Sequence, residues 1–164
     1  MQLVLTQHQI DQKITRLAHE ILESTYGTNE ILIGGIIGNG EIFGQQITAL
    51  LKKNSSQSFE FFTIALDKEH PLEHPITCSI DVQRFKDKTI IIVDDVINSG
   101  KTMQYAVVKI LEQSIKSVKT VALVDRMHRR YPIKCDFVGM TLTTTLGERV
   151  EVIEKEGQLE AYLV

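Results

Sequence analysis

Residues 89–102, TIIIVDDVINSGKT, end an apolar β-branched run in two adjacent carboxylates, Asp94 and Asp95, and then supply a short polar loop. Paired carboxylates can accept hydrogen bonds from the two hydroxyls of a ribose, with magnesium as a companion ion. The loop brings Asn98, Ser99, Gly100, Lys101 and Thr102 together. A helix beginning near Lys101 would point its free amides at that loop, which favours a bound phosphate. Gly100 permits close backbone approach, Ser99 and Thr102 add hydroxyls, and Lys101 adds positive charge. Diol and phosphate together describe a sugar phosphate. The same residue types equally suit an ordinary strand end and helix cap. A Walker A loop is ruled out, because GxxxxGK[ST] is not present, and nucleoside triphosphatase chemistry is disfavoured with it.

Such a loop needs a strand before it and a helix behind it. The run at residues 89–93 suits a central parallel strand, and Met103, Ala106, Val107, Ile110 and Leu111 then recur on one helical face. Upstream, Thr6 reads as the cap of a helix whose Ile10, Ile14, Leu17, Ala18 and Ile21 form a stripe ending before Gly27. Residues 30–33 read as a buried strand, Gly34, Gly35, Gly38 and Gly40 as a turn, and Phe43, Ile47, Leu50 and Leu51 as a second helix. Further strands are expected over residues 59–66, 78–82 and 118–124, with a charged loop over 67–75. This alternation describes a parallel sheet covered by helices, with ligands held at the carboxyl ends of its strands. The tail reads differently, as short strands over residues 137–142, 150–153 and 159–163, with a hairpin at Gly157, forming a hood or a sheet edge.

The 164 residues suffice for one substantial core, and a single domain over 1–164 is expected. A net charge of −3 gives no overall basic field for nucleic acid. Two cysteines make neither a disulfide framework nor a zinc motif, and no run approaches the ~20 apolar residues of a membrane span. The expectation is a cytoplasmic protein with no membrane partner and no metal cage built from protein ligands.

The run IIIVDDVINSGKT resembles the phosphoribosyl pyrophosphate motif of type I phosphoribosyltransferases. With the opening LTQHQIDQKITRLAHEI and the stretch VALVDRMHRRYPIKCDFVG, the resemblance is closest to the bifunctional pyrimidine operon attenuator and uracil phosphoribosyltransferase family. It implies a type I phosphoribosyltransferase-like α/β fold, a mostly parallel sheet flanked by helices with a small hood. It also implies transfer of ribose 5-phosphate from phosphoribosyl pyrophosphate to a nucleobase, with uracil first among candidates and Mg2+ as cofactor. Asp94 and Asp95 then meet the ribose hydroxyls, and Val96, Ile97, Asn98, Ser99, Gly100, Lys101 and Thr102 form the substrate loop. Ile36, Ile37, Gly38 and Asn39 occupy the pyrophosphate loop, where relatives carry a basic TRG-like sequence and this chain carries Gly38-Asn39-Gly40. Lys68 belongs to the flexible catalytic loop, in which Asp67 replaces a tyrosine, and Arg126 is a phosphate or pyrophosphate contact. Val138, Thr144, Thr145 and Leu146 fall in the base pocket.

Each assignment has a plainer counterpart. The charged stretch with Lys68 and Glu69 reads equally as a solvent loop, His128 as a surface residue, and the threonines as exposed strand positions. Three functions stay open: a transferase, a nucleotide-sensing regulator that binds an mRNA leader, and a domain retained for assembly whose loop has become an ordinary cap; a homodimer or homotetramer is expected.

Overall fold

The apolar stripe seen in the sequence becomes helix α1, Gln7–Ser24, with Ile10, Ile14, Leu17, Ala18 and Ile21 buried, in a computed structural model that describes residues 1–164. Thr6 caps it through a reciprocal pair: its hydroxyl accepts the Gln9 amide at 3.3 Å, and the Gln9 side chain accepts the Thr6 amide at 2.9 Å. Leu5 before the cap and Ile10 in the first turn share one core cluster, which fixes how the chain enters the helix. Thr6→Ala is expected to cost about 1 kcal/mol, read as a lowered midpoint in urea at unchanged slope.

The main sheet has six strands in the order β4-β3-β2-β5-β6-β7. They are β2 (Glu30–Ile36), β3 (Ser58–Ala65), β4 (Thr77–Cys78), β5 (Thr89–Ile97), β6 (Ser117–Asp125) and β7 (Phe137–Thr141). All neighbours run parallel except β3 and β4. Helix α1 and helix α2 (Asn39–Asn54) cover one face, and helix α3 (Lys101–Ile110) with the short 3-10 turn Val82–Phe85 covers the other. Burial on both faces explains why β2, β5 and β6 read as unbroken apolar runs. Phe137 is a core residue beside α1, as its apolar setting predicts. No helix is long and apolar enough to cross a membrane.

Several elements differ from the sequence reading. Strand β2 continues through Gly34 and Gly35, which are extended rather than a turn. A Cβ at Gly34 would fall 2.6 Å from the Phe62 ring, and one at Gly35 would fall 2.8 Å from the α2 backbone. Close packing, not chain reversal, demands these glycines. Strand β5 likewise runs past Asp94 and Asp95 to Ile97, because β6 continues to pair with it as far as Asp125. The strand expected over 78–82 is only Thr77–Cys78, and Asp81 instead caps the 3-10 turn by accepting the Gln83 amide at 2.9 Å. Leu111 lies beyond the end of α3 and is exposed.

The tail divides between the two expected roles. Strand β7 is the edge of the main sheet, while β8 (Val150–Lys155) and β9 (Gln158–Leu163) join β1 (Gln2–Leu5) in a three-stranded antiparallel hood. Glu156 and Gly157, both at positive φ, form the hairpin turn. Strand β1 had no counterpart in the sequence reading.

Candidate functional site

The carboxyl ends of β2, β5 and β6 open on one side of the sheet, and two helices begin there: α2 after β2 and α3 after β5. Gly100 caps α3 in the left-handed conformation at φ 85°, and the Ser99 hydroxyl accepts the Lys101 amide at 3.3 Å. The next amides of α3 have no carbonyl one turn back inside the helix, so they are free to meet an anion. A cavity of about 320 Å³ lies over this helix start, lined by Lys68, Glu69, Asp94 and residues 96–103. The expected phosphate loop and one of the two acids therefore share one cavity.

Asp94 is 4% exposed. Burial first, then the adjacent Asp95 charge, pushes its carboxyl well above the ordinary value, while the Lys68 ammonium at 3.8 Å opposes the shift. One Asp94 oxygen accepts the Asp95 amide at 2.9 Å, and Asp95 accepts the Val96 amide at 2.8 Å. Lys101 reaches across the mouth and donates to the Glu69 carbonyl at 2.8 Å. The loop over 67–75 is thus held against the cavity by Lys68 on one side and Lys101 on the other.

The loop after β2 lies beside the acids rather than in the cavity wall. Ile36 closes the strand and is buried, Ile37 and Gly38 form an exposed turn, and Asn39 opens α2. Asn39 donates to Asp95 Oδ2 at 3.0 Å and to the Val152 carbonyl at 3.1 Å.

Arg126 is almost fully buried and is engaged by the protein itself. Its guanidinium donates to Asn98 Oδ1 at 2.8 Å, to Thr144 Oγ1 at 3.0 Å, to the Thr145 carbonyl at 3.4 Å and to the Glu148 carbonyl. Most of its five donors are used, so Arg126 straps the loop at Asn98 to residues 144–148 rather than presenting a free fork. Arg129 reinforces the strap, pairing with Asp125 at 2.6 Å and donating to the Asn98 carbonyl at 3.2 Å. Asn98, Ser99, residues 126–130 and Leu146 enclose a second cavity of about 360 Å³ on the other flank of the loop.

Of the expected base pocket, Thr144, Thr145 and Leu146 gather at Arg126, and Leu146 is exposed. Val138 lines neither cavity; it lies opposite Ala122 within the sheet, and its carbonyl accepts Arg16 at 2.8 Å. The sequence reading missed Arg129 as a loop brace, for which the Asp125-to-Arg129 spacing of four was the available signal. It also missed that Asp67, Glu73 and His74 bring ligand atoms within 4.8 Å of one another in the exposed loop. Asp67 there already accepts the amides of Glu69 and His70.

Residues 3–155 match the family model for the phosphoribosyl transferase domain. The chain belongs to this family. Among phosphoribosyl transferase relatives, the bifunctional protein PyrR of Staphylococcus aureus, strains N315 and Newman, is 35% identical, covering 94% of this chain and 93% of the relative. The type I fold is shared with a hypoxanthine phosphoribosyltransferase of Trypanosoma cruzi, at TM-score 0.76 and 17% identity, covering 98% of this chain and 95% of that one. It is shared too with a hypoxanthine-guanine phosphoribosyltransferase of Bacillus anthracis, at TM-score 0.72 and 21% identity, with coverages of 87% and 83%. This phosphoribosyl transferase is accordingly a pentosyltransferase whose acid pair sits where its central strand meets the start of α3.

Proposed function

We propose that the chain transfers ribose 5-phosphate from phosphoribosyl pyrophosphate to a small nucleobase, uracil first among candidates. The observation that carries this reading is the buried Asp94 in the same cavity as the start of α3, a diol acceptor beside a phosphate cradle. The amides and hydroxyls of residues 98–102 hold the 5-phosphate, and Asp94 and Asp95 take the ribose hydroxyls. In the reaction a base nitrogen bonds to ribose C1 as the bond from C1 to pyrophosphate breaks, its electron pair leaving with pyrophosphate, and the nitrogen releases its proton. The aspartates orient the sugar and do not attack it. Lys68, the cation nearest Asp94, is placed to meet the leaving group when the 67–75 loop moves.

Two carboxylates beside a phosphate site are a donor set that suits a hard divalent cation, so Asp94 and Asp95 fit magnesium. When bound, Mg2+ neutralises charge that develops on pyrophosphate. Base-dependent release of pyrophosphate, assayed with uracil, cytosine, hypoxanthine, guanine, adenine and orotate, tests the proposal. Turnover with uracil is expected; a folded sample inert toward every base would overturn it.

A second reading is favoured by Asn39, whose amide is spent inside the protein and leaves residues 36–39 without a cation. On this reading the site senses a nucleotide and regulates through an mRNA leader, with little turnover. Binding of such an RNA that weakens steeply with salt would support it, and no binding at low salt would remove it. The family resemblance also supports a single-domain, cytoplasmic homodimer or homotetramer, which light scattering can size.

A further inference from the structure

Asn39 stands at the meeting of three elements. It opens α2, donates to Asp95 on β5 at 3.0 Å, and donates to the Val152 carbonyl on β8 at 3.1 Å. Both amide hydrogens are therefore used inside the protein. Strand β8 pairs only with β9, and on its unpaired edge the Val152 carbonyl takes the donor that Asn39 also offers Asp95. Among side chains of α2, Asn39 alone hydrogen bonds to the hood. Asp95, in turn, receives from Asn39 a side-chain donor that orients its carboxylate, its other oxygen being committed to the Val96 amide.

We propose that Asn39 is a positioning residue that couples the hood to the acid pair: one amide group fixes both the Asp95 carboxylate and the edge of β8. This gives the position a role other than contact with pyrophosphate, and it rests on the reading of Asp94 and Asp95 as the ribose acceptors. A sugar that draws on Asp95 then acts through Asn39 on the hood, and loosening the hood weakens the grip on the sugar. The phosphate cradle at the start of α3, whose cavity neither Asn39 nor Val152 lines, is outside this linkage.

The test compares the parent with Asn39→Ala and with Asn39→Asp, which keeps the shape but replaces the donors with a carboxylate opposite Asp95. Calorimetry would measure ribose 5-phosphate and inorganic phosphate separately, and hydrogen exchange would follow the β8 and β9 amides with and without ribose 5-phosphate. The expected result is about a tenfold loss of ribose 5-phosphate affinity in Asn39→Ala, the scale of one hydrogen bond to a charged group, and a larger loss in Asn39→Asp. Phosphate affinity should stay within about twofold, and the sugar-dependent slowing of hood exchange seen in the parent should vanish. Either variant binding ribose 5-phosphate like the parent would overturn the proposal. So would an equal loss of phosphate binding, or a hood response that survives the substitution. A parent that binds phosphate but not ribose 5-phosphate would instead bring down the ribose reading, and this inference with it.

Discussion

Asp94→Asn is expected to bind ribose 5-phosphate about 100-fold more weakly than the parent while melting no lower. The two effects have opposite signs because Asp94 is buried and carries charge. Its carboxylate offers a sugar hydroxyl a charge-assisted acceptor, and losing it removes about 2.7 kcal/mol, the equivalent of 100-fold in affinity. Without ligand the same charge is a burden, since desolvation and the Asp95 carboxylate favour the neutral form more than the half-exposed Lys68 at 3.8 Å and the Asp95 amide oppose it. Asparagine keeps the oxygen that accepts the Asp95 amide and discards the charge.

A second measurement checks the cause. A carboxyl whose pKa is higher folded than unfolded stabilises the fold fully below its unfolded value, and that contribution is lost as pH rises through the folded value. In metal-free buffer, the stability of the parent therefore contains a component that falls as pH climbs above the ordinary 3.8, and Asp94→Asn should lack it. Unchanged sugar-phosphate affinity would remove Asp94 from the site. An unchanged pH profile would remove burial as the origin of its shift.

The elements that carry this pair were legible where their signals were local. The α1 stripe, the β5 run and the Gly157 hairpin each follow from residues close in sequence. Strand β1 was not legible because four residues hold their place by pairing with β9, Gln2 opposite Leu163, from the other end of the chain. Gly34 and Gly35 suggested a turn for a related reason: what demands them is the Phe62 ring and the α2 backbone, and composition reports neither. In the site, Asp94 and the loop over residues 98–102, which line one cavity, lie close together in one contiguous stretch of sequence. Arg126 was visible as a cation but not as a strap, because Asn98, Thr144 and Glu148 reach it from separate loops. A charged group read from sequence has no partners, and its role depends on how many of its donors the fold has already used.

Gly40→Ala is expected to lower stability by about 3 kcal/mol and to weaken sugar-phosphate binding, although Gly40 has no side chain to offer a ligand. It is buried as the second residue of α2, and its added Cβ would stand 2.7 Å from the Val93 carbonyl oxygen, 3.0 Å from Asp94 Oδ1 and 3.1 Å from Asp94 Cα. The contacts at Gly34 are ring and methyl atoms of side chains; those at Gly40 include the backbone of β5, whose carbonyls lie in a paired sheet. Helix and strand must therefore separate by several tenths of an ångström. Because Asn39 and Asp94 lie on the two sides of that gap, the separation would disturb the acid pair itself, and small misplacements of positioning groups cost affinity steeply. For a chain of this size, 3 kcal/mol corresponds to a fall of roughly 10 °C in Tm. Gly147→Ala is the control: nothing lies within 4 Å of its Cβ position, so it should change stability by less than about 0.5 kcal/mol. If Gly40→Ala melted with that control, the contact between α2 and β5 would be slack. The close approach that places Asn39 against Asp95 would then need another cause.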